Sequence, residues 1–319
     1  MIKKYSDNNR RKKRNLRGCT WYNGLRKSHF DGESEGKRMQ IREIHSLYFS
    51  PTGGTAKYAK AMAEGAAEAL ACPAEISSFT LPREREEGRH FSSDELLIIG
   101  SPTYAGKLPN KILPEFQEKL RGEHTPVLLF VTYGNRNFDN SLAELLSVLR
   151  GNGFLPLAAA AFACRHAFSD RICPERPRAE ELTAARSFAA RAAEAVRTAA
   201  CAALEAVSLA FTVPGDAGAP YYVPKGEDGA PAKFLKAKPL TDLSKCLHCG
   251  ACAAHCPMGS IDAADTSKVP GICIKCQACV RGCKQGAKYF EDAAFLSHVR
   301  MLEENFTAPE KENLYFSVF

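Results

Sequence analysis

Eight of the thirteen cysteines fall between Cys246 and Cys283. They form two quartets of one spacing. The first is Cys246-x2-Cys249-x2-Cys252-x3-Cys256, followed by Pro257; the second is Cys273-x2-Cys276-x2-Cys279-x3-Cys283. Thiolates are soft ligands, suited to iron–sulfur clusters and to zinc. Structural zinc takes its four ligands as two separated pairs. Here three closely spaced thiolates on one loop wrap three corners of a cubane, and the fourth leaves that loop for the neighbouring cluster. The spacing predicts two [4Fe–4S] clusters. One takes Cys246, Cys249, Cys252 and Cys283; the other takes Cys273, Cys276, Cys279 and Cys256.

This segment, roughly residues 240–290, resembles the two-cluster bacterial-type ferredoxins. It departs from them at the end of the second run, which reads Cys283-Lys284 rather than Cys-Pro. His248 and His255 lie beside ligands, but all eight cysteine positions are filled, so surface roles are expected for them. Lys245, Lys275, Arg281 and Lys284 put positive charge near the clusters. That charge either raises a potential, meets an acidic partner, or belongs to a mixed solvated surface.

A second group of residues stands near the other end of the chain: Ser50-Pro51-Thr52-Gly53-Gly54-Thr55. It follows an apolar alternation over residues 41–48 and precedes an alanine-rich run over 56–71 with helical spacing. The order is strand, hydroxyl- and glycine-rich loop, helix. A helix start presents unpaired N–H groups and the positive end of its dipole, so an anion sits well there. Gly53 and Gly54 allow close backbone approach, and Ser50, Thr52 and Thr55 add hydroxyls. No lysine follows the glycines, which excludes a nucleotide-hydrolysing P-loop.

The elements that must carry this loop alternate. Strands are expected at 75–80, 95–100, 126–132 and, as the last, 154–162. Helices are expected at 109–120 and at 140–152, the latter closed by Gly153. Residues 81–91 read as a loop with some helix. Alternating strands and helices imply a doubly wound parallel α/β sheet, with ligands beyond the carboxyl ends of its strands. Three loops lie there: the hydroxyl-rich loop, then Ser101-Pro102-Thr103-Tyr104-Ala105-Gly106, and Tyr133-Gly134-Asn135-Arg136-Asn137-Phe138. One loop of anion donors and two with aromatics suit a ligand bearing a phosphate and a flat ring.

Residues 41–165 resemble flavodoxin. The motif Ser/Thr-x-Thr-Gly-x-Thr stands at Ser50, Thr52, Gly53 and Thr55. The resemblance implies flavin mononucleotide (FMN), with its phosphate on the first loop and its ring between the other two. Tyr104 and either Tyr133 or Phe138 would flank the ring; neither ring loop holds a tryptophan. The absence of a long insertion in the last strand resembles the short-chain type. Taken whole, the chain after Met39 resembles the flavodoxin–ferredoxin fusion proteins of anaerobic bacteria.

The expected organisation is a basic, disordered leader (1–38), a flavodoxin-like domain (39–211), a Gly- and Pro-rich linker (212–239), a small α+β two-cluster ferredoxin domain (240–291) and a C-terminal helix and tail (292–319). The net charge of +7 is a property of the leader, which holds 12 Lys and Arg against 4 Asp and Glu. The leader reads as a solvated tail, or as an over-extended start ahead of Met39. The body is nearly neutral and offers no nucleic-acid groove. No run of 18 apolar residues predicts a membrane span, and no secretory signal is visible. Cys19, Cys72, Cys164, Cys173 and Cys201 are scattered and read as free thiols of a reducing cytoplasm. Residues 179–207 read as one long helical stretch. His166 either sits near a flavin edge or is a structural or solvated residue.

The expected function is electron transfer among two clusters, FMN and a partner redox protein, joining one-electron to two-electron chemistry. A flavin-dependent reductase fed by the clusters is the alternative, although the ring loops hold no acid–base pair beyond Arg136 and the tyrosines. A flavin-free docking module carrying a ferredoxin is the third reading.

Overall fold

The computed structural model describes residues 38–319. The expectations for residues 1–37, including Cys19, lie outside the described residues. In chain order the elements are β1 (Glu43–Tyr48), α1 (Gly54–Leu70), β2 (Ala74–Ser78), a 3-10 turn (Pro82–Arg85), β3 (Arg89–Phe91), β4 (Glu95–Pro102), α2 (Leu113–Lys119), β5 (Leu120–Gly122), β6 (Thr125–Tyr133), α3 (Ser141–Gly151), β7 (Phe154–Ala163), α4 (Ala179–Thr198), α5 (Cys201–Ala210), β8 (Leu240–Thr241), α6 (Ala251–Ala254), α7 (Ala278–Gly282), β9 (Lys288–Tyr289), α8 (Ala293–Phe306) and β10 (Leu314–Ser317).

Strands β2-β1-β4-β6-β7 pair in that order, all parallel. This is the flavodoxin-like doubly wound order, whose switch point lies between β1 and β4. Helices cover both faces, and so the central strands are apolar throughout rather than alternating; every residue of β6 is buried. Leu97, Ile99, Val127, Leu129 and Val131 face α2 and α3 through Phe116, Leu142, Leu145 and Leu149. Ile44, Leu96, Ile98, Leu128 and Phe130 face α1 and α4 through Tyr58, Met62, Phe188 and Ala189. Burying each of these large side chains stabilises the fold by about 1.5–3 kcal/mol. Small residues bring α1 and α4 together: a Cβ on Gly65 would lie 2.1 Å from the Arg186 carbonyl oxygen.

Several elements differ from expectation. The strand at 154–162 is not the last: β10 pairs antiparallel with β7, setting Tyr315 and Phe316 opposite Ala160 and Ala159. Asn313 starts this pairing by accepting from the Ala163 N–H at 2.9 Å. The tail thus covers a sheet edge that would otherwise expose unpaired backbone groups. The stretch at 179–207 is two helices, broken where extended Ala200 bridges to Arg38. Within 81–91, β3 forms and pairs parallel with β5. The helix after Pro109 begins only at Leu113, because the Pro109 carbonyl first accepts from Ile112 and Leu113 in a turn.

Residues 212–239, expected as a linker, lie against the α/β domain as a strap. Lys107 donates to the carbonyls of Ala217 and Ala219 at 2.8 and 2.9 Å, and Tyr222 N–H donates to Ala105 O at 2.8 Å. The cysteine-rich segment follows, framed by the short antiparallel pair β8–β9. No helix among the described residues is long and apolar enough to cross a membrane.

Candidate functional site

Helix α1 opens after Gly53, whose φ of +87° is left-handed. A Cβ built there meets nothing within 4 Å and points into open space. The N–H groups of Thr52, Gly54 and Thr55 reach no protein acceptor among the described residues, while that of Ala56 is taken by the Ser50 hydroxyl at 3.0 Å. The Thr55 hydroxyl is occupied with Thr132 at 2.8 Å; the Thr52 hydroxyl has no partner among the described residues. Unpaired N–H groups at the positive end of a 17-residue helix make a cradle for an anion.

A cavity of about 230 Å³ runs from this cradle across the carboxyl ends of β1, β4 and β6. Of the residues expected to hold a ligand, Ser50, Thr52, Gly54, Thr55, Pro102, Thr103, Tyr104, Tyr133 and Gly134 line it. Gly53, Ser101, Asn135 and Phe138 do not. Ser101 is fully buried in β4. Phe138 packs behind Tyr133, with ring centroids 5.6 Å apart, leaving Tyr133 as the aromatic of that loop at the cavity. Asn135 serves the tail instead: its amide donates to Phe306 O and Pro309 O and accepts from the Lys311 N–H.

The loop after β4 is a tight turn, closed by reciprocal Tyr104–Lys107 backbone bonds with Ala105 and Gly106 both at positive φ. It holds Tyr104 up against the cavity. Gly134 is obligatory for space, since a Cβ there would lie 2.2 Å from the His166 ring. His166 itself lines the cavity. Its Nδ1 accepts from the Phe168 N–H at 3.1 Å, so the neutral ring carries its proton on Nε2. Burial, then the nearby His298, Arg281 and Arg136, depress its pKa to about 3.

Residues that sequence reasoning did not single out close the cavity. Tyr222 and Pro224 come from the strap, Phe234 from its end, His298 and Leu302 from α8, and Ile274 from the second cysteine run. Aromatic contacts bind the strap to α8: Phe234 stacks on His298 at 5.4 Å and meets Phe295 edge-on at 5.5 Å. A strap rich in Gly and Pro carries no periodicity that would announce this packing. Lys275, expected as charge near a cluster, is 9% exposed and also lines the cavity.

The two cysteine runs fold as a repeat. His248 and Lys275 take left-handed φ values of 51° and 57° at matching positions, followed by Gly250 and Gln277, and later by Gly259 and Gly286. These turns aim N–H groups at sulfur. His248 N–H donates to Cys246 Sγ and Lys275 N–H to Cys273 Sγ, each at 3.4 Å; Ser260 N–H donates to Cys256 Sγ and Ala287 N–H to Cys283 Sγ, each at 3.3 Å. A second, small cavity is lined by Cys256, Cys273, Cys276 and Cys279 and by none of the other quartet. The structure thus brings together one of the two sets expected from the crossed ligation pattern.

A tetrahedral zinc site with Zn–S near 2.3 Å sets its sulfurs about 3.8 Å apart. Among the described residues the group of three metal-capable side chains with ligand atoms all within 4.8 Å is Glu43, His45 and Glu95, not any cysteine set. The wider sulfur spacing and the N–H donors to sulfur fit a cubane better than a single ion. Burial pushes the Cys279 thiol up to about 12 and raises Cys276 further, so these sulfurs would become thiolates on binding a metal centre, which displaces their protons to solvent.

Of the four basic residues near the clusters, two turn inward. Arg281, with a side chain 19% exposed, donates to the carbonyls of His166, Ala167 and Ser169 and pairs with Asp170. It clamps the cysteine-rich segment onto the loop after β7. Arg85 does the same on the other side, donating to Pro257 O at 2.8 Å.

Residues 238–284 match the 4Fe–4S dicluster domain family. Similar solved structures include a flavodoxin from the domain Archaea, with 15% identity, 49% of this chain and 99% of that chain covered, and a TM-score of 0.34. They include rubredoxin oxygen:oxidoreductase from the anaerobe Desulfovibrio gigas (17% identity, TM-score 0.32), with 55% of this chain but only 38% of that chain covered. A diflavin flavoprotein from Nostoc sp. is 14% identical over 50% of this chain and 95% of that chain, with a TM-score of 0.31. No curated protein matches the chain. The chain thus joins a doubly wound parallel α/β domain to a segment of the 4Fe–4S dicluster family, and that segment supports a redox role.

Proposed function

We propose that the protein is an electron carrier that binds FMN and two [4Fe–4S] clusters and exchanges electrons with a partner redox protein. The observation that carries this reading is the shared wall. Ile274 and Lys275, between Cys273 and Cys276, line the same cavity as Ser50, Thr52, Gly54 and Thr55 and as Tyr104 and Tyr133. A flavin in that cavity is therefore one residue away from a cluster ligand.

In this reading the N–H groups of Thr52, Gly54 and Thr55 and the Thr52 hydroxyl hold the phosphate, with Gly53 shaping the cradle. Tyr104 and Tyr133 flank the ring, and the backbone near Gly134 and Asn135 meets its polar edge. Cys246, Cys249, Cys252 and Cys283 hold one cluster; Cys273, Cys276, Cys279 and Cys256 hold the other. Bound flavin supplies two-electron chemistry and the clusters one-electron chemistry. The strap and α8 cover the ring side of the cavity and keep bulk water and large partners from the flavin. Eight iron-binding thiolates require a reducing compartment, for which the cytoplasm is our assignment.

The test is anaerobic purification with iron, acid-labile sulfide and flavin measured together. About eight iron, eight sulfide and one FMN per chain are expected, since each cubane holds four of each. Iron without flavin, after incubation with FMN, would refute the electron-carrier reading and leave a docking module with a ferredoxin. Zinc in place of iron would refute the cluster assignment.

A further inference from the structure

The two cysteine quartets lie in unlike surroundings. Beside Cys256, Cys273, Cys276 and Cys279 stand two buried cations. Lys275, 9% exposed, donates its ammonium to the carbonyls of Leu235 and Cys273 and, among the described residues, to no carboxylate, although the charge of Asp292 acts on it from a distance. Arg85, 4% exposed, donates to Phe79 O, Thr80 O and, across the domain boundary, Pro257 O; its Nε has no partner among the described residues. Glu84 and Glu115 act on Arg85 from a distance, but Glu84 already accepts from the Thr80 and Leu81 N–H groups and Glu115 pairs with Lys119.

Around the other quartet most side chains face solvent; the exception is Lys288, 3% exposed, which donates its ammonium to Thr266 O and whose charge also acts on Cys279 of the first quartet. Cys249 is exposed, Leu247 is 69% exposed, Lys284 is exposed, and Lys245 is 59% exposed and paired with Asp242 at 3.1 Å. Hydrogen bonding to sulfur does not separate the two sets, since each receives two backbone N–H bonds of matching length.

A cluster's potential follows its net charge, its hydrogen bonds and its exposure. Adding an electron to a buried cluster is disfavoured by the low dielectric. Two buried cations oppose that, because their attraction acts through the same low dielectric, whereas exposed charges are screened. The buried set also adjoins the flavin cavity through Ile274 and Lys275. Tyr104, in the same wall, lies near enough to Cys276 and Cys273 for their charge to act on its hydroxyl.

We infer that the dicluster segment is a directional wire: the outer cluster, on Cys246, Cys249, Cys252 and Cys283, takes electrons from a one-electron redox protein. The inner cluster, on Cys256, Cys273, Cys276 and Cys279, has the higher potential and passes them to the flavin past Lys275 and Tyr104. Each transfer oxidises the outer cluster by one electron and reduces the inner by one. Two such transfers supply the electron pair, and solvent the two protons, that a flavin takes up. This rests on the electron-carrier reading above.

The experiment is a redox titration of the full-length holoprotein, following cluster signals by electron paramagnetic resonance and flavin by absorbance. Two cluster midpoints are expected. Lys275→Gln lowers the higher one, reducing that cluster's reduction equilibrium constant by about tenfold, the order for losing one nearby charge at an effective dielectric of about 20; it also shifts the flavin midpoint. Lys275→Arg restores both. Leu247→Glu, a surface change that does not threaten folding, lowers only the other cluster's midpoint and leaves the flavin unchanged. A Leu247→Glu shift in the higher midpoint or the flavin, or a Lys275→Gln shift in the lower midpoint or in neither, overturns the inference. Wild-type protein that takes up clusters but no flavin overturns the parent reading first, before any variant is compared.

Discussion

Replacing Lys107 with methionine tests whether the strap is held by one buried ion pair. The Lys107 ammonium lies 2.9 Å from Glu144 Oε1, and both side chains are 8% exposed. Its other donors go to Ala217 O and Ala219 O, and the ring of Tyr221 lies 5.6 Å away. Methionine keeps the stem's bulk and removes the charge. Glu144 is then a buried carboxylate whose remaining partner is the Leu108 N–H at 2.8 Å. Removing one member of a buried pair is destabilising by about 3–5 kcal/mol. With a urea slope of about 3 kcal/mol per M for a domain of this size, the midpoint falls by about 1–1.7 M. Urea unfolding of the apoprotein followed by circular dichroism reads this, and limited proteolysis reads the strap at residues 212–224. Lys107→Met with Glu144→Gln recovers part of the loss, with a coupling of about 0.5–3 kcal/mol. A loss below about 1 kcal/mol, with a strap no more sensitive to protease than in wild type, would refute the reasoning. Because Tyr222 and Pro224 are cavity wall, loss of the strap also weakens flavin binding in the same variant.

Three further outcomes are expected. Gly53→Val puts a β-branched side chain at φ +87°, straining the backbone turn that shapes the anion cradle; FMN affinity by fluorescence titration falls at least about tenfold, while iron content is unchanged. His166 carries a depressed pKa of about 3, so the unfolded state binds its proton first as pH falls below the ordinary value. Its contribution is neutral above about pH 6.5 and destabilising below, by about 1.5 kcal/mol at pH 5.5. His166→Gln removes this, so the loss in urea midpoint between pH 7 and pH 5.5 is smaller in the variant; an equal loss would contradict the burial. Arg281→Met removes the charged donor from the carbonyls of His166, Ala167 and Ser169, of which His166 O keeps the Ser169 N–H at 3.4 Å. Hydrogen exchange at residues 166–170 rises by an order of magnitude or more, the change expected for losing about 1.5–3 kcal/mol of charged hydrogen bonding; unchanged exchange would mean that Arg281 does not clamp the segment.

Much of the architecture was legible because local pattern and tertiary demand agree. The apolar runs at 95–100 and 126–132 are strands buried on both faces, and nothing but a covered parallel sheet accommodates them. The loop from Ser50 to Thr55 announces itself because an anion cradle needs glycine at Gly53 and hydroxyls around it. What was illegible depends on partners remote in sequence. β10 exists because β7 offers an edge of alanines and Asn313 caps the ladder; the four residues alone have too little pattern to show it. Strands β3 and β5, three residues each, are stabilised by each other. Phe138 and Tyr133 are equivalent as letters, and the packing of one behind the other is a three-dimensional fact. The same holds for Lys275 and Arg281, whose inward turn no charge count reveals.

The inward turn of Arg281, matched by Arg85 on the other side, bears on why the two halves share one chain. Two free domains meet at random, and each transfer then includes a bimolecular encounter. Here Arg85 and Arg281, both on backbone carbonyls of the opposite domain, fix one orientation from two sides. The strap and α8, locked by the Phe234–His298–Phe295 contacts, close the third. Carbonyl acceptors cannot ionise, so this clamp does not depend on the protonation of an acid partner. A carrier that changes its own charge with every electron needs such a clamp, because an interface of exposed ion pairs would strengthen and weaken with each turnover. Asp170, the one carboxylate in it, is 74% exposed, where screening makes its contribution small. The geometry is thus held by the terms least sensitive to redox state.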